Sequence, residues 1–341
     1  MAIFVTGGAG FIGSEFIRQW LRKHPSEMVI NFDKLTYAGN LENLATVEKH
    51  PAYRMVKGDV TEPSEVKAAL PEGCDAIIHF AAESHVDRSI LSAAEFVRTN
   101  VLGTQVLLDA AREKRVKRFV HISTDEVGGS IPPGMLFRED SPLAPSSPYA
   151  ASKAAAEHLV RAAAHTFGMD AVITRTSNNY GPYQFPEKLI PLAIANIREG
   201  KPVPVYGDGL QVRDWIHVAD NCRALALVLE RGRAGATYHI GGGNQIPNLD
   251  LLRLLLKIMG APESLLAHVK DRLGHDRRYA VDCSRIREEM SWEPQIPLEE
   301  GLRSTVEWYE RNPDWIERAT SGEYRKYYER VYGRDHAQGR N

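Results

Sequence analysis

Short runs of apolar, mostly β-branched residues alternate with amphipathic segments through the first half of the chain. The apolar runs predict strands at Ile3–Thr6, Val29–Phe32, Tyr53–Lys57, Ala76–Phe80, Phe119–Ser123 and Ala171–Arg175. The amphipathic segments predict helices near Ile12–Lys23, Pro63–Leu70, Glu95–Lys114 and Ser152–Phe167. Because alternating strands and helices build a parallel sheet with helices on both faces, the pattern predicts a doubly wound α/β fold.

The pattern becomes less regular after Asn178, where prolines interrupt the chain at many points. A helix is predicted at Asp220–Leu229 and a strand at Thr237–Ile240, and short helices and loops follow from Asn244. We therefore expect a smaller mixed α/β lobe that binds the substrate and lies against the sheet.

The predicted division is a sheet domain at residues 1–177, to which the chain returns near 215–240, and a second lobe at 178–341. A chain of 341 residues fits one large domain or two ordinary ones. The segment Trp308–Tyr332 is rich in Trp, Tyr and Arg, and it predicts one or two packing helices at the C-terminus.

Composition excludes several classes of protein. The formal net charge is −2, which argues against nucleic acid or an anionic membrane as the partner. The apolar runs are too short and too interrupted to span a bilayer, and no basic leader precedes an apolar run at the N-terminus. Cys74, Cys222 and Cys283 have no metal-binding or redox spacing. We expect a cytoplasmic protein with reduced thiols and no metal site.

A glycine-rich turn follows the first predicted strand. Gly7, Gly10 and Gly13 have GxxGxxG spacing and open a helix, so the backbone can approach a pyrophosphate at a helix N-terminus. Asp33 ends the second strand, where a carboxylate accepts hydrogen bonds from a ribose and disfavours a 2′-phosphate. The context predicts a Rossmann-type NAD site, with the neighbouring Lys34 as the one feature that favours NADP.

Two further pairs extend this site. Asp59 and Val60 follow the third strand, where an adenine contact is usual, although Asp59 fits a helix-capping role equally well. Ala81 and Ala82 follow the fourth strand, where small side chains leave room for a cofactor or simply pack closely.

Tyr149 and Lys153 stand one helical turn apart at a predicted helix start. An ammonium near a phenol lowers the phenol pKa, and the phenolate can then remove a hydroxyl proton while hydride leaves the same carbon. A chance surface pair is the alternative. The preceding strand ends in Ser123 and Thr124, whose hydroxyls can hold a substrate oxygen beside the tyrosine, and this favours the catalytic interpretation.

With these motifs the chain resembles the extended short-chain dehydrogenase/reductases. Thr124-Asp125-Glu126 resembles the TDE signature of the dTDP-glucose 4,6-dehydratases within that family. Further runs that resemble these enzymes cover nearly the whole chain, at Ala81–Ile90, Thr176–Leu192, Tyr206–His217 and Gly274–Asp282.

The resemblance implies a lyase that uses bound NAD and acts in three steps. Tyr149 takes the proton of the C4 hydroxyl while NAD takes the C4 hydride. Glu126 then removes the C5 proton while Asp125 protonates the C6 oxygen, and water leaves. NADH returns its hydride to C6, giving a 4-keto-6-deoxy sugar. Two carboxyl groups with separated pKa values suit the second step.

In the motifs that match the family, the resemblance implies the following site residues. The catalytic set is Thr124, Asp125, Glu126, Tyr149 and Lys153. The cofactor set is Gly7, Gly10, Phe11, Ile12, Gly13, Asp33, Lys34, Asp59, Val60, Ala81, Ala82, Ser84, Thr99, Tyr149, Lys153 and Asn179. The substrate set is Ser84, Thr124, Asn178, Lys188, Leu189, Pro204, Val205, Tyr206, Arg213, Asn248, Arg272 and His275. Leu189 and Val205 also fit a core role, and Asn248 fits a helix cap.

The chain departs from the family pattern in three places. Gly128 stands where the family has an aromatic residue (TDEVYG), which predicts open space or flexibility beside the C6 end of the hexose. The loop from Ser130 to Leu143 is short for the family. Leu273 replaces the proline of the RPGHD run, which predicts a slightly less rigid loop.

Alternatives stay open at this point. A nucleotide-sugar 4-epimerase or a UDP-glucuronate decarboxylase would keep Gly7, Tyr149 and Lys153, but needs no acid–base pair at 125 and 126. A 5,6-dehydratase that releases an unsaturated sugar fits the same residues. A non-catalytic NAD- or sugar-sensing protein would show damage at these positions. The resemblance also implies a homodimer formed through the helices Glu95–Lys114 and Ser152–Phe167.

Overall fold

The computed structural model describes residues 1–320 and contains twelve strands in that range. The strands are β1 (Ala2–Thr6), β2 (Met28–Asp33), β3 (Tyr53–Lys57), β4 (Ala76–His79), β5 (Arg118–Thr124), β6 (Ala171–Thr176), β7 (Asn178–Tyr180), β8 (Val203–Tyr206), β9 (Val212–His217), β10 (Thr237–Ile240), β11 (Gln245–Pro247) and β12 (Leu266–Val269).

The α-helices of the same range follow in chain order. They are α1 (Phe11–Lys23), α2 (Pro63–Ala69), α3 (Val86–Leu91), α4 (Ala93–Phe96), α5 (Gly103–Glu113), α6 (Pro148–Phe167), α7 (Leu189–Arg198), α8 (Val218–Arg231), α9 (Asn248–Ile258), α10 (Ser284–Met290), α11 (Leu298–Arg311) and α12 (Pro313–Thr320). None of them is long and apolar enough to cross a lipid bilayer.

The central sheet has seven parallel strands in the order β10-β6-β5-β4-β1-β2-β3. The connections run one way from β1 to β3 and the other way from β4 outward, so the strand order reverses between β1 and β4. In sheets of this kind, ligands bind outside the carboxyl ends of the strands at the point of reversal. The predicted Rossmann-type fold is confirmed.

Helices cover both faces of this sheet, and side chains alternate along each strand to reach them. Ile3 and Val5 of β1 pack with Phe16 of α1 and Leu225 of α8, while Phe4 between them packs on the opposite face. Three consecutive buried apolar residues in β1, Ile3 to Val5, are what a sheet covered on both faces requires. The strand β10, which follows the first strands of the second lobe in the chain, pairs with β6 at one edge of this sheet.

The second lobe is built on two small sheets. β9 pairs with β7 and β11, and β8 pairs with β12. Its core is formed by α7, α9 and α11 around apolar side chains such as Leu251, Leu255 and Tyr309. The division at residue 177 stays a prediction. Of the predicted C-terminal packing segment, the structure shows α12 up to Thr320, and residues 321–332 lie outside the described range.

One predicted helix is wrong in form. The segment Glu95–Lys114 was expected to be a single helix. The structure instead has α4, a π-helical turn at Val97–Leu102, and then α5. The wider turn places Asn100 inward, where its side chain hydrogen-bonds Glu83 and Ser152, and such contacts outweigh the regular helical pattern.

A buried ion pair fastens α6 to the sheet. Arg175 of β6 donates to both carboxylate oxygens of Glu157, with the shortest contact 2.8 Å between Nη2 and Oε2. The two side chains are 1% and 0% exposed. Because α6 carries Tyr149 and Lys153, this pair fixes the helix that presents both residues.

Glu157→Ala is expected to destabilise the protein by about 3–5 kcal/mol, because it leaves the Arg175 guanidinium buried and uncompensated. Urea unfolding followed by circular dichroism measures the loss. Glu299→Gln serves as the control, because the Glu299–Arg303 pair is half exposed and its loss should leave the midpoint unchanged. Equal midpoints for the two variants would contradict the structural weight given to the buried pair.

Candidate active site between two cavities

The glycine turn after β1 lies against the backbone that leaves β4. Gly7 has φ +71°, and a Cβ atom there would lie 2.5 Å from the Ala81 nitrogen. A Cβ on Gly13 would collide with the Gly7 carbonyl oxygen. Only glycine fits at either position. The helix that follows has Gly10 as its N-cap, with no side-chain hydrogen bond, so its first backbone N–H groups face outward as donors for an anion.

Asp33 holds this turn from the end of β2. Its carboxylate accepts the N–H of Ala9 at 2.9 Å and of Leu35 at 2.8 Å. Burial raises the pKa of Asp33, and the two backbone hydrogen bonds oppose that shift. Lys34 forms a 2.7 Å ion pair with Asp59, so the cation that favoured a 2′-phosphate is already engaged.

A cavity lies over this turn, at the reversal of strand order. The predicted cofactor residues that line it are Gly7, Gly10, Asp33, Lys34, Asp59, Val60, Ala81, Ala82 and Thr99. The predicted residues Phe11, Ile12, Gly13, Ser84, Tyr149, Lys153 and Asn179 are not among those that line it. Phe11 and Ile12 pack against the core, and Gly13 packs under Gly7. Asp59 accepts the Thr61 N–H but does not cap α2, whose N-cap is Glu62.

The predicted acid–base pair forms one 3₁₀ turn at the carboxyl end of β5, at Asp125–Gly128. The Thr124 hydroxyl accepts the Glu126 N–H at 3.2 Å and donates to the Asp125 carboxyl at 3.3 Å. Asp125 is 4% exposed, and its Oδ2 has no hydrogen-bond partner among the described residues. Glu126 lines the second cavity.

Adjacent carboxyl groups here meet different charges. Burial raises the pKa of Asp125 well above its usual range, and the neighbouring Glu126 raises it further. Burial also raises the pKa of Glu126, but Arg272, Arg213 and Lys188 all oppose that shift. The pKa of Asp125 is therefore raised further than that of Glu126, and a separation in this direction suits Asp125 as the acid and Glu126 as the base.

Tyr149 and Lys153 lie on the same face of α6, and both are buried. The ammonium of Lys153 donates to the Ile122 carbonyl oxygen at 2.6 Å. Burial lowers the pKa of Lys153 to about 8. Burial and Glu126 raise the pKa of Tyr149, while Thr124 opposes the rise. Lys153 is not among the groups that lower the pKa of Tyr149 here, and its ammonium is directed at the strand backbone, so activation of the phenol by Lys153 stays a prediction.

A hydrogen-bonded support beneath Tyr149 was missed by the sequence reasoning. The Asn100 amide donates to the Ser152 hydroxyl at 2.8 Å and also donates to the Glu83 carbonyl. Ser152 donates to the Tyr149 carbonyl at 2.7 Å. Thr104 bonds the Asn100 carbonyl and the His79 ring, so the support continues under the sheet. No motif around Asn100 signals this role, because it depends on the π-helical turn.

A second cavity opens between the sheet and the smaller lobe. The predicted substrate residues that line it are Asn178, Lys188, Leu189, Pro204, Tyr206, Arg213, Asn248, Arg272 and His275. Asn248 is the first residue of α9 and makes no capping bond, and its Oδ1 is buried without a partner among the described residues. The helix-cap alternative for Asn248 is therefore wrong.

Three predicted substrate residues do not line this cavity. Val205 is 2% exposed and packs in the core of the smaller lobe, because alternate residues of β8 face opposite sides. Thr124 lies behind Glu126 and beside Tyr149. Ser84 contributes its carbonyl oxygen, which accepts the Lys188 ammonium at 2.8 Å.

The guanidinium groups are held by neighbours at the cavity wall. Arg213 donates to the Asp276 carbonyl at 2.9 Å and lies over the Tyr279 ring at 4.2 Å. Arg272 forms a 3.4 Å ion pair with Asp87. Two guanidinium groups fixed at the cavity wall suit a diphosphate.

Glu187 is a site residue that the sequence reasoning did not single out. It lines the second cavity, accepts the Tyr37 hydroxyl at 3.2 Å, and its Oε2 has no hydrogen-bond partner among the described residues. Burial raises its pKa to about 6, and Lys188 and Arg88 oppose the shift. The signal was present, because Glu187 lies within the run Thr176–Leu192 that resembles the family. His85 and Tyr279 also line the second cavity, and they lie within two other runs that resemble the family, Ala81–Ile90 and Gly274–Asp282.

The space predicted beside Gly128 does not exist. A Cβ atom on Gly128 would lie 2.7 Å from two ring carbons of Phe137. The ring of Phe137 is 6% exposed and belongs to the main core. Gly128 therefore faces the core and not the substrate cavity, and the wall beside the carboxyl pair is closed. Leu273, which stands where the family has proline, is 71% exposed. The absence of the proline ring therefore affects a turn at the surface.

Comparisons with known proteins agree with this site. A family model described as GDP-mannose 4,6 dehydratase matches residues 4–305. The dTDP-glucose 4,6-dehydratase of Streptomyces niveus is 54% identical over 93% of this chain and 95% of its own length.

Solved structures give the same picture. The dTDP-glucose 4,6-dehydratase of Streptomyces venezuelae, solved with NAD bound, superposes with a TM-score of 0.92 at 52% identity, covering 94% of this chain and all of that one. The Thermus thermophilus UDP-glucose 4-epimerase is more distant, with 30% identity and a TM-score of 0.84 over 92% of this chain and 100% of its own. Extent, identity and the acid–base turn together place the chain in the dTDP-glucose 4,6-dehydratase family.

Proposed function

We propose that the chain catalyses the NAD-dependent dehydration of dTDP-glucose to dTDP-4-keto-6-deoxyglucose. The observation that carries this proposal is the turn Asp125–Gly128, which sets two buried carboxyl groups, with pKa values raised to different extents, beside Tyr149. A 4-epimerase or a decarboxylase needs no such pair. Relatives that are more than 50% identical and of similar length include dTDP-glucose 4,6-dehydratases.

The residues at the first cavity fit a dinucleotide. Gly7 and Gly13 leave a cradle that any Cβ would fill, and the uncapped start of α1 offers N–H donors for a pyrophosphate. Asp33 stands where a ribose would meet a carboxylate. When bound, NAD supplies the acceptor and later the donor of a hydride, together with a positive charge that favours ionisation of the Tyr149 phenol.

Tyr149 begins the reaction by removing the proton of the C4 hydroxyl. Thr124 holds the same oxygen by a hydrogen bond, since its hydroxyl lies beside the phenol. Lys153 fixes the geometry of this step through its bond to the Ile122 carbonyl. The C4 ketone that results makes the C5 proton acidic.

Glu126 then takes the C5 proton, and Asp125 gives a proton to the C6 oxygen as water leaves. Arg272, Arg213 and Lys188 oppose the rise in the pKa of Glu126, while the pKa of Asp125 is raised well above its usual range, so Asp125 is the better placed of the two to carry the proton. The C5=C6 bond so formed is conjugated with the C4 ketone, so C6 accepts a hydride and C5 a proton. Proton return from Glu126 to C5 restores the base, and a net proton transfer through solvent from Tyr149 to Asp125 restores the phenolate and the acid.

Arg213, Arg272 and Lys188 bind the diphosphate of the substrate in this proposal, and Tyr206 and Asn248 lie along the nucleoside portion of the cavity. The 5,6-dehydratase alternative drew its support from space at Gly128, and that space is filled by Phe137. The non-catalytic alternative has no damaged catalytic position to support it.

The enzyme should transfer deuterium from C4 to C6 of its product. dTDP-glucose deuterated at C4 is incubated with the protein, and the product is analysed by mass spectrometry beside UDP-glucose labelled in the same way. Label at C6 of a product that has lost water is the expected result. Loss of the label with an unsaturated product would favour the 5,6-dehydratase, and no dehydration of either sugar would overturn the proposal.

In the same assay, Glu126→Gln is expected to reduce bound NAD but to slow elimination by about 10²–10⁴-fold, because it lacks the base. Reduced cofactor is followed by its near-ultraviolet absorption. Glu199→Gln, on the exposed surface, is the matched control and should keep wild-type turnover. Full turnover by Glu126→Gln would show that another group is the base.

Asp125→Asn is expected to be more stable than the wild type at neutral pH but inactive in elimination. The pKa of Asp125 in the folded protein is raised, so its contribution to stability is present below the unfolded value of 3.8 and is lost as pH rises through the folded value. Asparagine cannot ionise, so the stability advantage of the variant should grow from acid to neutral pH. Urea unfolding over that range measures it, and a constant difference would contradict the raised pKa.

We also propose a homodimer that pairs through the stretch from α3 to α5 together with α6. Its support is a set of exposed large apolar side chains on that stretch, Leu91 (61%), Val97 (54%) and Leu102 (48%). The three thiols are free and buried, which supports a cytoplasmic location.

Leu102→Asp should therefore shift the protein from dimer to monomer in light scattering, because it buries a charge in the contact. Leu210→Asp, on an exposed leucine far along the chain, is the control. A monomeric wild-type protein would refute this assembly without affecting the proposed chemistry.

A further inference from the structure

The catalytic turn is closed from behind by a residue of another segment. Gly128 is the last residue of the turn, and a Cβ atom there would lie 2.7–2.8 Å from three ring carbons of Phe137. Contacts this short do not occur between real side chains, so the ring occupies the volume that a side chain at position 128 would need. The Phe137 ring thus packs directly on the backbone that carries Asp125 and Glu126.

The ring is itself fixed on its other side. It stacks on His239 with centroids 5.3 Å apart and planes 19° from parallel. The Arg175 guanidinium lies 5.1 Å from its centroid, and Arg175 is held by Glu157 of α6. Phe137 therefore stands between the catalytic turn and the ion pair that anchors the catalytic helix.

The backbone of Phe137 is bound to the nucleotide side of the site. Its N–H donates to the Ala280 carbonyl at 2.8 Å, and its carbonyl accepts the Asp282 N–H at 2.9 Å. Tyr279, in the same short segment, lines the substrate cavity and lies under Arg213. One residue thus connects the acid–base turn with the wall that holds the diphosphate.

Hydrogen bonds and one buried side chain also hold the turn. Thr124 accepts the Glu126 N–H, the Glu126 carbonyl accepts the Gly129 N–H at 3.1 Å, and the Val127 carbonyl accepts the Ala144 N–H at 3.0 Å. The Val127 side chain is 0% exposed and lies in the same core cluster as Phe137. Because the ring fills the core side of the turn at Gly128, it limits how far the two carboxyl groups can move back from C5 and C6.

We propose that Phe137 is the positioning residue of the acid–base turn, and that glycine at position 128 is required because the ring is supplied from the 130–143 loop. The inference rests on the proposed dehydration. Phe137 does not touch the substrate, and it acts through the backbone of the turn. Its loss should slow elimination while leaving C4 oxidation, which Tyr149 carries out from α6, close to normal.

The test compares Phe137→Leu and Phe137→Ala in single turnovers on dTDP-glucose. Bound NAD should be reduced at near the wild-type rate, while water loss should slow about 10²-fold in Phe137→Ala, the size expected for a misplacement of about 1 Å. Phe137→Leu, which keeps most of the volume, should lose less. Leu225→Ala is the matched control, because it truncates the same core cluster away from the turn.

Moving the aromatic ring from position 137 to position 128 tests the contact between the two positions directly. Gly128→Phe alone should impair elimination because two rings compete for one space, and Gly128→Phe with Phe137→Ala should recover most of the rate. Equal slowing of both steps in Phe137→Ala, or no recovery in the double variant, would overturn the proposal.

A double-mutant cycle on thermal stability tests the contact between positions 128 and 137 independently of the reaction. Gly128→Ala should lower the thermal midpoint in the wild type but not in the Phe137→Ala background, whatever the substrate. If the wild-type protein dehydrates no sugar, the proposed function fails while this cycle still reports the contact. If dehydration is normal and the two positions are uncoupled, the positioning role of Phe137 fails alone.

Discussion

The whole site depends on how closely the chain approaches itself between β1 and β4. At this point of the sheet the strand order reverses, and Gly7 lies so near the Ala81 backbone that no side chain fits. That contact brings the start of α1 to the carboxyl edge of the sheet and leaves the first cavity open above it. The ends of β5 and β6 reach the same edge, where Glu126 of the catalytic turn and Asn178 line the second cavity.

The proposed chemistry at this edge depends on two identical functional groups that have different surroundings. Asp125 and Glu126 are neighbours in one turn and carry the same functional group. Burial raises the pKa of Asp125 well above its usual range, whereas Arg272, Arg213 and Lys188 of the smaller lobe oppose the rise in the pKa of Glu126. In the proposed function the same arginine and lysine side chains thus serve both substrate binding and proton removal.

The regular parts of the fold were predictable because local pattern decides them. The strand ends of β1 to β6 fall within two residues of the predicted ends, since buried parallel strands need continuous β-branched runs. The π-helical turn at Val97–Leu102 was not, because its cause is a set of contacts from Asn100 to distant residues. Val205 was misplaced although alternation along β8 already indicated that only Pro204 and Tyr206 share a face. The sequence could not show that a side chain at position 128 would point into the core. Phe137 fills that space because its backbone pairs with residues more than 140 positions later in the chain.

The hydrogen bond from Tyr37 to Glu187 joins the walls of two different cavities. Tyr37 belongs to the turn whose other residues, Thr36, Ala38 and Gly39, line the first cavity, and Glu187 lines the second. A ligand that fixed one wall would therefore also restrict the other, and any such coupling would be equal in both directions. The loop after β2 thus ties the geometry of the cavity that fits a dinucleotide to the geometry of the cavity beside the acid–base turn.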